Sequence, residues 1–186
     1  MNAAFKEWAV VCEALGTGLQ SIIIRKGGIA EGKAGFAFRH DDFCLFPTWF
    51  HEQLEKTTLP AGTAVPEEPG ENLEIRYTAT IEWSGLVKDW KTLENLREFH
   101  VLHQSVLEER FRYDDTEGVH VAFVRVYRLD PPVRLANEKK YGGCRSWIEL
   151  PIPEGVALVS VLTDEEHSRR RRRLDEVLAG TLPSAV

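Results

Sequence analysis

Ser21-Ile22-Ile23-Ile24-Arg25-Lys26-Gly27-Gly28-Ile29 joins an apolar, β-branched run directly to two cations and a glycine pair. Adjacent isoleucines lose χ1 freedom in a helix and pack well on a pleated sheet, so the run reads as a strand covered on both faces. Arg25 and Lys26 stand at its end. Gly27 and Gly28 allow positive φ and close approach of another backbone, which suits a turn and equally suits an anion site. A plain strand-turn with solvated charges reads from the same residues, so this stretch speaks to the sheet sooner than to a function.

Upstream, Phe5, Trp8, Ala9, Cys12 and Leu15 recur at helical spacing and predict a first helix, with Asn2 as its cap and Gly16 and Gly18 as its stop. Downstream, residues 31–46 read as a glycine-broken hairpin in which Phe36 and Phe38 alternate and His40-Asp41-Asp42 turns. Pro47 is expected to open a short helix carrying Phe50 and Leu54 on one side, with His51 and Glu52 off that stripe. Residues 57–72, rich in Pro, Gly, Thr and Glu, read as a surface loop. From Leu73 to Trp83 apolar and polar residues alternate, the pattern of a half-buried antiparallel strand.

Asp89 or Thr92 can cap a further helix with Leu93, Leu96, Phe99, His103 and Val106 on its apolar face. His100 and His103 have the offset of metal ligands on one helix face, but no third ligand is evident nearby, and a hydrogen-bonded core histidine is the plainer reading. Val119 to Leu129 predicts a central strand, ended by Pro131-Pro132. Arg125 interrupts its apolar series and must snorkel, pair with a carboxylate or face a polar cavity. A second glycine pair, Gly142-Gly143, precedes Cys144-Arg145-Ser146-Trp147 and another strand. Thr163-Asp164-Glu165-Glu166 is a capping box opening a terminal helix, on which Arg169 through Arg173 could bind phosphates but read sooner as a solvated face pairing with local acids.

At 186 residues, 43% hydrophobic and 28% charged, the chain has the makings of one folded domain. We expect residues 1–162 to form it and 163–186 to form a charged C-terminal helix and tail. No apolar run approaches the roughly 18 residues that cross a bilayer, and no basic, then apolar start is present, so a cytoplasmic location without membrane contact is expected. Cys12, Cys44 and Cys144 are too widely spaced for a zinc knuckle or a disulfide framework. A net charge of −6 argues against coating nucleic acid over a large surface, while leaving room for a local basic patch. The fold class expected is α+β, with a strongly curved, mainly antiparallel sheet flanked by helices.

Four stretches carry a resemblance: Phe5-Lys6-Glu7-Trp8 with Ala14-Leu15, Arg25-Lys26-Gly27-Gly28-Ile29, Leu45-Phe46-Pro47-Thr48 with His51, and Gly143-Cys144-Arg145-Ser146-Trp147-Ile148-Glu149-Leu150. Through them residues 5–150 resemble a bacterial family known as domain of unknown function 1802. That family has no established activity; the association of some members with restriction endonuclease domains implies a role near foreign DNA. Gly18-Leu19-Gln20-Ser21-Ile22-Ile23-Ile24-Arg25 is more distantly similar to the G-x-K-x-x-E-x-R motif of ASCH domains, relatives of the small PUA barrel. Gln20 replaces its lysine and Ile23 its glutamate, so the hydrolytic chemistry of some ASCH proteins does not carry over. Gly18 and Arg25 match. This similarity implies a small PUA-like β-barrel as the form of the curved sheet.

The functional expectation is a module binding nucleic acid, a nucleotide or a modified base, possible partners including restriction-system proteins. A base needs a planar partner and a phosphate needs cations or backbone amides. Trp49, Tyr141 and Trp147 are the stacking candidates; Arg25, Lys26, Gly27 and Gly28 are the phosphate candidates; Thr48, His51, Arg125, Gly143, Cys144, Arg145 and Ser146 complete the set. No cofactor or metal is expected. A metal-dependent nuclease is the alternative, with Asp130 and the Glu138-Lys139-Lys140 triplet as its carboxylate and lysine groups. A third reading pairs Cys144 with His51, aided by Thr48, Glu52 and Ser146, in acid-base or nucleophilic chemistry.

Overall fold

The computed structural model describes residues 3–26, 36–113 and 116–180. Its strands are β1 (Ala3–Trp8), β2 (Ile22–Arg25), β3 (Asp42–Thr48), β4 (Asn72–Val87), β5 (Val119–Ala136), β6 (Trp147–Glu149) and β7 (Ala157–Ser160). Its helices are α1 (Ala9–Gly16), α2 (Trp90–Asn95), α3 (Gln104–Phe111) and α4 (Asp164–Ala179). The strands form one mixed sheet in the order β2-β5-β4-β3-β1-β6, with β7 also on β5. Among the described residues only β1 with β3 is parallel, and the other strand pairings are antiparallel.

The long β4–β5 ribbon is the backbone of this sheet, in register from Asn72↔Ala136 to Val87↔Val119 with two shifts on the way. Such irregularities sharpen local twist. The consequence is visible in side chains: Arg25, on the strand at one end of the order, donates to Ser146 Oγ at 3.2 Å beside β6 at the other end. Its guanidinium also lies 5.5 Å from the Phe5 ring centre on β1. The sheet is therefore a strongly curved α+β structure whose opposite edges approach one another.

Alternation gives the curved sheet two apolar sides. Phe5, Phe43, Leu45 and Ile22–Ile24 enter the main core with residues of all four helices, α4 contributing Leu174 and Val177. Ala4, Cys44 and Phe46, one step out of phase, enter a second cluster with Leu73, Ile75, Leu129, Tyr141 and Ile148. The isoleucines are at most 1% exposed, as a strand covered on both faces requires. Arg125, buried on β5, is neutralised by Asp164 at 2.6 Å and also donates to Ser160 Oγ and the Leu162 carbonyl. In α4, Thr163 caps the Glu166 amide, and Arg169, Arg170, Arg171 and Arg173 pair with Glu166, Asp175, Glu98 or Glu176.

Several expectations are corrected. The first helix begins only at Ala9; Phe5 and Trp8 are strand residues, because β1 lies between β3 and β6 with Ala4, Phe5, Lys6 and Glu7 all buried. Asn2 and residues 31–35 lie outside the described residues. No hairpin joins Phe36 to Phe46, since β3 pairs instead with β1 and β4 and Phe36–His40 precede it without strand structure. Pro47 lies inside β3, not at a helix start; pairing with β4 has ended by Cys44, which relieves the strand of one neighbour where proline lacks its donor.

The single helix expected from Asp89 is two short ones. Asp89 caps α2, the chain then extends through His100, and the bridge between Thr57 and Leu102 separates α2 from α3. His103 is consequently the exposed cap of α3, and His100 is the buried one. The two histidines therefore do not share one helix face, and among the described residues no group of three or more His, Cys, Asp or Glu is placed to hold a metal ion. Pro131-Pro132 does not end β5. The prolines fall in the register shift between Tyr77↔Arg128 and Ile75↔Val133, where no ladder donor is asked of them.

Candidate functional site

Two cations, Lys6 and Arg25, and the carbonyl and hydroxyl oxygens they hold shape the corner between β1, β2 and β6. Lys6 points from buried β1 toward the loop before β6 and donates to the Tyr141 and Gly143 carbonyls at 2.8 and 2.7 Å. The Lys6 amide donates to the Ser146 carbonyl at 2.9 Å, and Arg25 closes the loop from the far edge through Ser146 Oγ. Residues 141–146 are thus pinned at both ends. Gly143 has φ +81° with open space around it, so its turn is free of steric reason beyond that backbone angle. Burial depresses the Lys6 ammonium below its usual range, and the neighbouring Arg145 and Arg25 charges push it the same way.

In front of this loop lies an open groove of about 1250 Å³. Trp147, half-buried, forms its aromatic wall, edge-on to His40 at 5.0 Å and to Phe5 at 5.0 Å. Arg145 and Lys140 line the groove with Tyr141, whose ring is buried, and Asp42 and Glu149 supply the carboxylates. Asp42 already accepts from Thr80, and Arg145 is steadied through the Lys140 carbonyl at 2.7 Å. Trp147 Nε1 reaches the Ala37 carbonyl at 3.4 Å, leaving the indole set beside the entrance.

Behind Arg25, α3 adds Arg110. Its guanidinium lies 4.9 Å from the Trp8 ring centre, donates to the Ile24 carbonyl and approaches Glu7 at 3.9 Å. Glu7 is 1% exposed and accepts from the Trp8 amide at 2.9 Å. Burial lowers the Arg110 pKa, with Glu7 opposing and Arg25 reinforcing the shift. The corner as a whole gathers Lys6, Arg25, Arg110 and Arg145 against Glu7, an excess of positive charge in partly desolvated surroundings.

The expected residues divide among several places. Arg25, Gly143, Cys144, Arg145, Ser146, Tyr141 and Trp147 belong to this corner. Thr48 is adjacent through its hydroxyl, which donates to the Glu7 carbonyl at 3.0 Å. Lys26 is turned toward the Thr116 and Gly118 carbonyls. Gly27 and Gly28 lie outside the described residues. Trp49 faces a different cavity, its Nε1 donating to Pro66, and His51 is exposed on the turn after β3. Arg125 is in a separate hollow against α4. No hydrogen bond joins Cys144 to His51 among the described residues, and Glu138 is paired with its own neighbour Lys140 at 2.7 Å on an exposed turn.

Sequence reasoning passed over Lys6, Glu7, His40 and Arg110. Lys6 and Glu7 were hidden in a stretch read as helical, where charges flanking an apolar stripe are unremarkable. The signal available was the strict strand-like phase Ala4/Lys6 against Phe5/Glu7, visible only once β1 is recognised.

Fold and corner define a curved-sheet α+β domain with an indole-walled groove, lined by Arg145, Lys140, Asp42 and Glu149, beside a cluster of partly buried cations where the sheet's edges approach. The chain belongs to the family described as Domain of unknown function (DUF1802), which it matches over residues 4–173. No curated protein matches it. Among solved structures it is similar to ASCH from Zymomonas mobilis, at 14% identity and TM-score 0.44, covering 91% of this chain and 93% of that one. A tyrosine-to-phenylalanine variant of ZmASCH from the same organism gives 13% identity and TM-score 0.46, with 92% and 96% covered.

Proposed function

We propose that the protein is a binding module for single-stranded nucleic acid or a nucleotide, with its site in the groove before Trp147. The observation that carries this reading is the cluster of cations behind the loop before β6: Lys6, Arg25 and Arg110 lie near Glu7, which is in ion-pair range of Arg110, while Arg145 stands at the groove with Lys140, Asp42 and Glu149. Repulsion among partly buried cations is relieved by an anion, and the exposed Arg145 is placed to meet phosphate first, Lys140 being paired with Glu138. Trp147 and His40 offer flat faces on which a base stacks without demanding one sequence. Lys6 acts as a positioning residue, because its two carbonyl contacts fix the loop that presents Arg145.

A labelled single-stranded DNA or RNA oligonucleotide, titrated at low salt and followed by fluorescence anisotropy, tests the proposal. Binding that weakens for Arg145→Ala and for Trp147→Ala is the expected result. Absence of binding to both nucleic acids, and to nucleoside monophosphates, removes the reading. Among the described residues no group of three or more His, Cys, Asp or Glu placed to hold a metal ion supports the nuclease alternative.

A further inference from the structure

A second cavity, of about 360 Å³, lies away from the cationic corner, between α1, β3, β4 and the loop before β4. Its inner wall is apolar: Ala9, Cys12, Leu45 and Leu73, with the rings of Tyr77 and Trp49. Pro47, Pro66 and Pro69 add rigid apolar surface, and the Trp49 Nε1 bond to the Pro66 carbonyl at 2.9 Å fixes the indole against the loop. The volume falls within the range of small-molecule sites, which combine an apolar body with a few placed polar groups.

Charge at the mouth is unequal. Glu13, Glu67 and Glu74 face Arg76 and Arg134. Arg76 pairs with Glu13 at 2.7 Å, Arg134 pairs with Glu74 at 2.9 Å, and Glu13 also accepts from the Tyr77 hydroxyl at 2.9 Å. Glu67, by contrast, has no hydrogen-bond or ion-pair partner among the described residues, although it stands next to the proline that anchors Trp49. An exposed carboxylate alone would mean little. Beside an aromatic and proline-walled cavity whose other charges are mutually satisfied, it is the available counter-charge for whatever enters.

We propose that this cavity binds a small organic cation: a primary amine carried on an aromatic or aliphatic body, its apolar part between Trp49, Tyr77 and Leu45 and its ammonium group at Glu67. The site is independent of the nucleic-acid reading, which uses none of these residues.

Phenethylamine, 2-phenylethanol and phenylacetate share one body and differ in charge, so calorimetric and ligand-observed NMR titrations of the full chain with the three discriminate among possibilities. Saturable 1:1 binding of phenethylamine is expected, about tenfold tighter than the alcohol, with phenylacetate weakest. Glu67→Gln is expected to erase the preference for the amine over the alcohol, and Trp49→Ala to remove binding of both. Glu67 is exposed, so its variant keeps the fold and decides the outcome if Trp49→Ala does not fold. Equal binding of all three, binding of none, or an amine preference that survives Glu67→Gln overturns the proposal.

Discussion

His100 gives the sharpest test of how the interior is built. Its side chain is buried where the chain extends between α2 and α3; Nδ1 accepts from the Leu102 amide at 3.1 Å, and Nε2 has no hydrogen-bond partner among the described residues. Burial, seconded by the Arg110 charge, depresses its pKa from 6.5 to about 4. The folded protein therefore keeps a neutral imidazole through a range in which the unfolded chain takes up a proton. Folding stability is full above pH 6.5, falls as pH drops through the window between the two values, and stops falling on this account below about 4.

At pH 4.5 the loss from this one group is about 2 to 3 kcal/mol by linkage. His100→Asn keeps an acceptor for the Leu102 amide two residues on and cannot titrate. Urea unfolding of both proteins at pH 7 and pH 4.5 separates this effect from carboxylate titration, which the two share. The stability gap between wild type and variant should move by about 2 to 3 kcal/mol in favour of the variant on acidification, roughly 1 M in urea midpoint. A gap that stays constant between the two pH values would refute the reasoning.

Three further outcomes follow from the packing. Gly16→Ala places a Cβ 2.1 Å from the Tyr77 ring, which its hydroxyl tethers to Glu13, so thermal melting should fall by an amount equivalent to about 3 kcal/mol; an unchanged midpoint contradicts this. Gln53 is buried and caps α1 from a distance, accepting from the Val10 amide at 3.1 Å and donating to the Thr48 carbonyl at 2.7 Å. Gln53→Leu orphans both groups and should cost about 2 to 4 kcal/mol in chemical unfolding. Lys6→Met releases the Tyr141 and Gly143 carbonyls, so hydrogen exchange should accelerate in residues 141–147, with oligonucleotide binding weakened although Arg145 is untouched.

How much of this was legible beforehand depended on whether a residue's neighbours were near in sequence. Ile22–Ile24, the alternation from Leu73 and the run from Val119 announced strands because β-branching and period act locally. β1 escaped notice because Phe5, Trp8, Cys12 and Leu15 mimic a helical stripe across a strand–helix junction, and because buried Lys6 and Glu7 looked like solvated charges. Pro47 and Pro131-Pro132 misled for a related reason: whether proline is tolerated depends on which partner strand has ended, a property of pairing. The corner shows the same divide. Arg25 and Ser146 were candidates separately, but their contact spans 121 positions and follows from the sheet's curl, which no spacing rule encodes. Trp49 and Arg125, equally plausible as sequence, face other hollows.

The claim on which the functional account rests is that phosphate meets cations at this corner. The most direct measurement is the salt dependence of single-stranded oligonucleotide affinity for wild type and Arg145→Ala. Neutralising one phosphate contact contributes about 0.7 to the slope of log affinity against log salt for a single strand, so the variant's slope should be shallower by about that amount. Affinity independent of salt, or slopes that coincide for the two proteins, would contradict it.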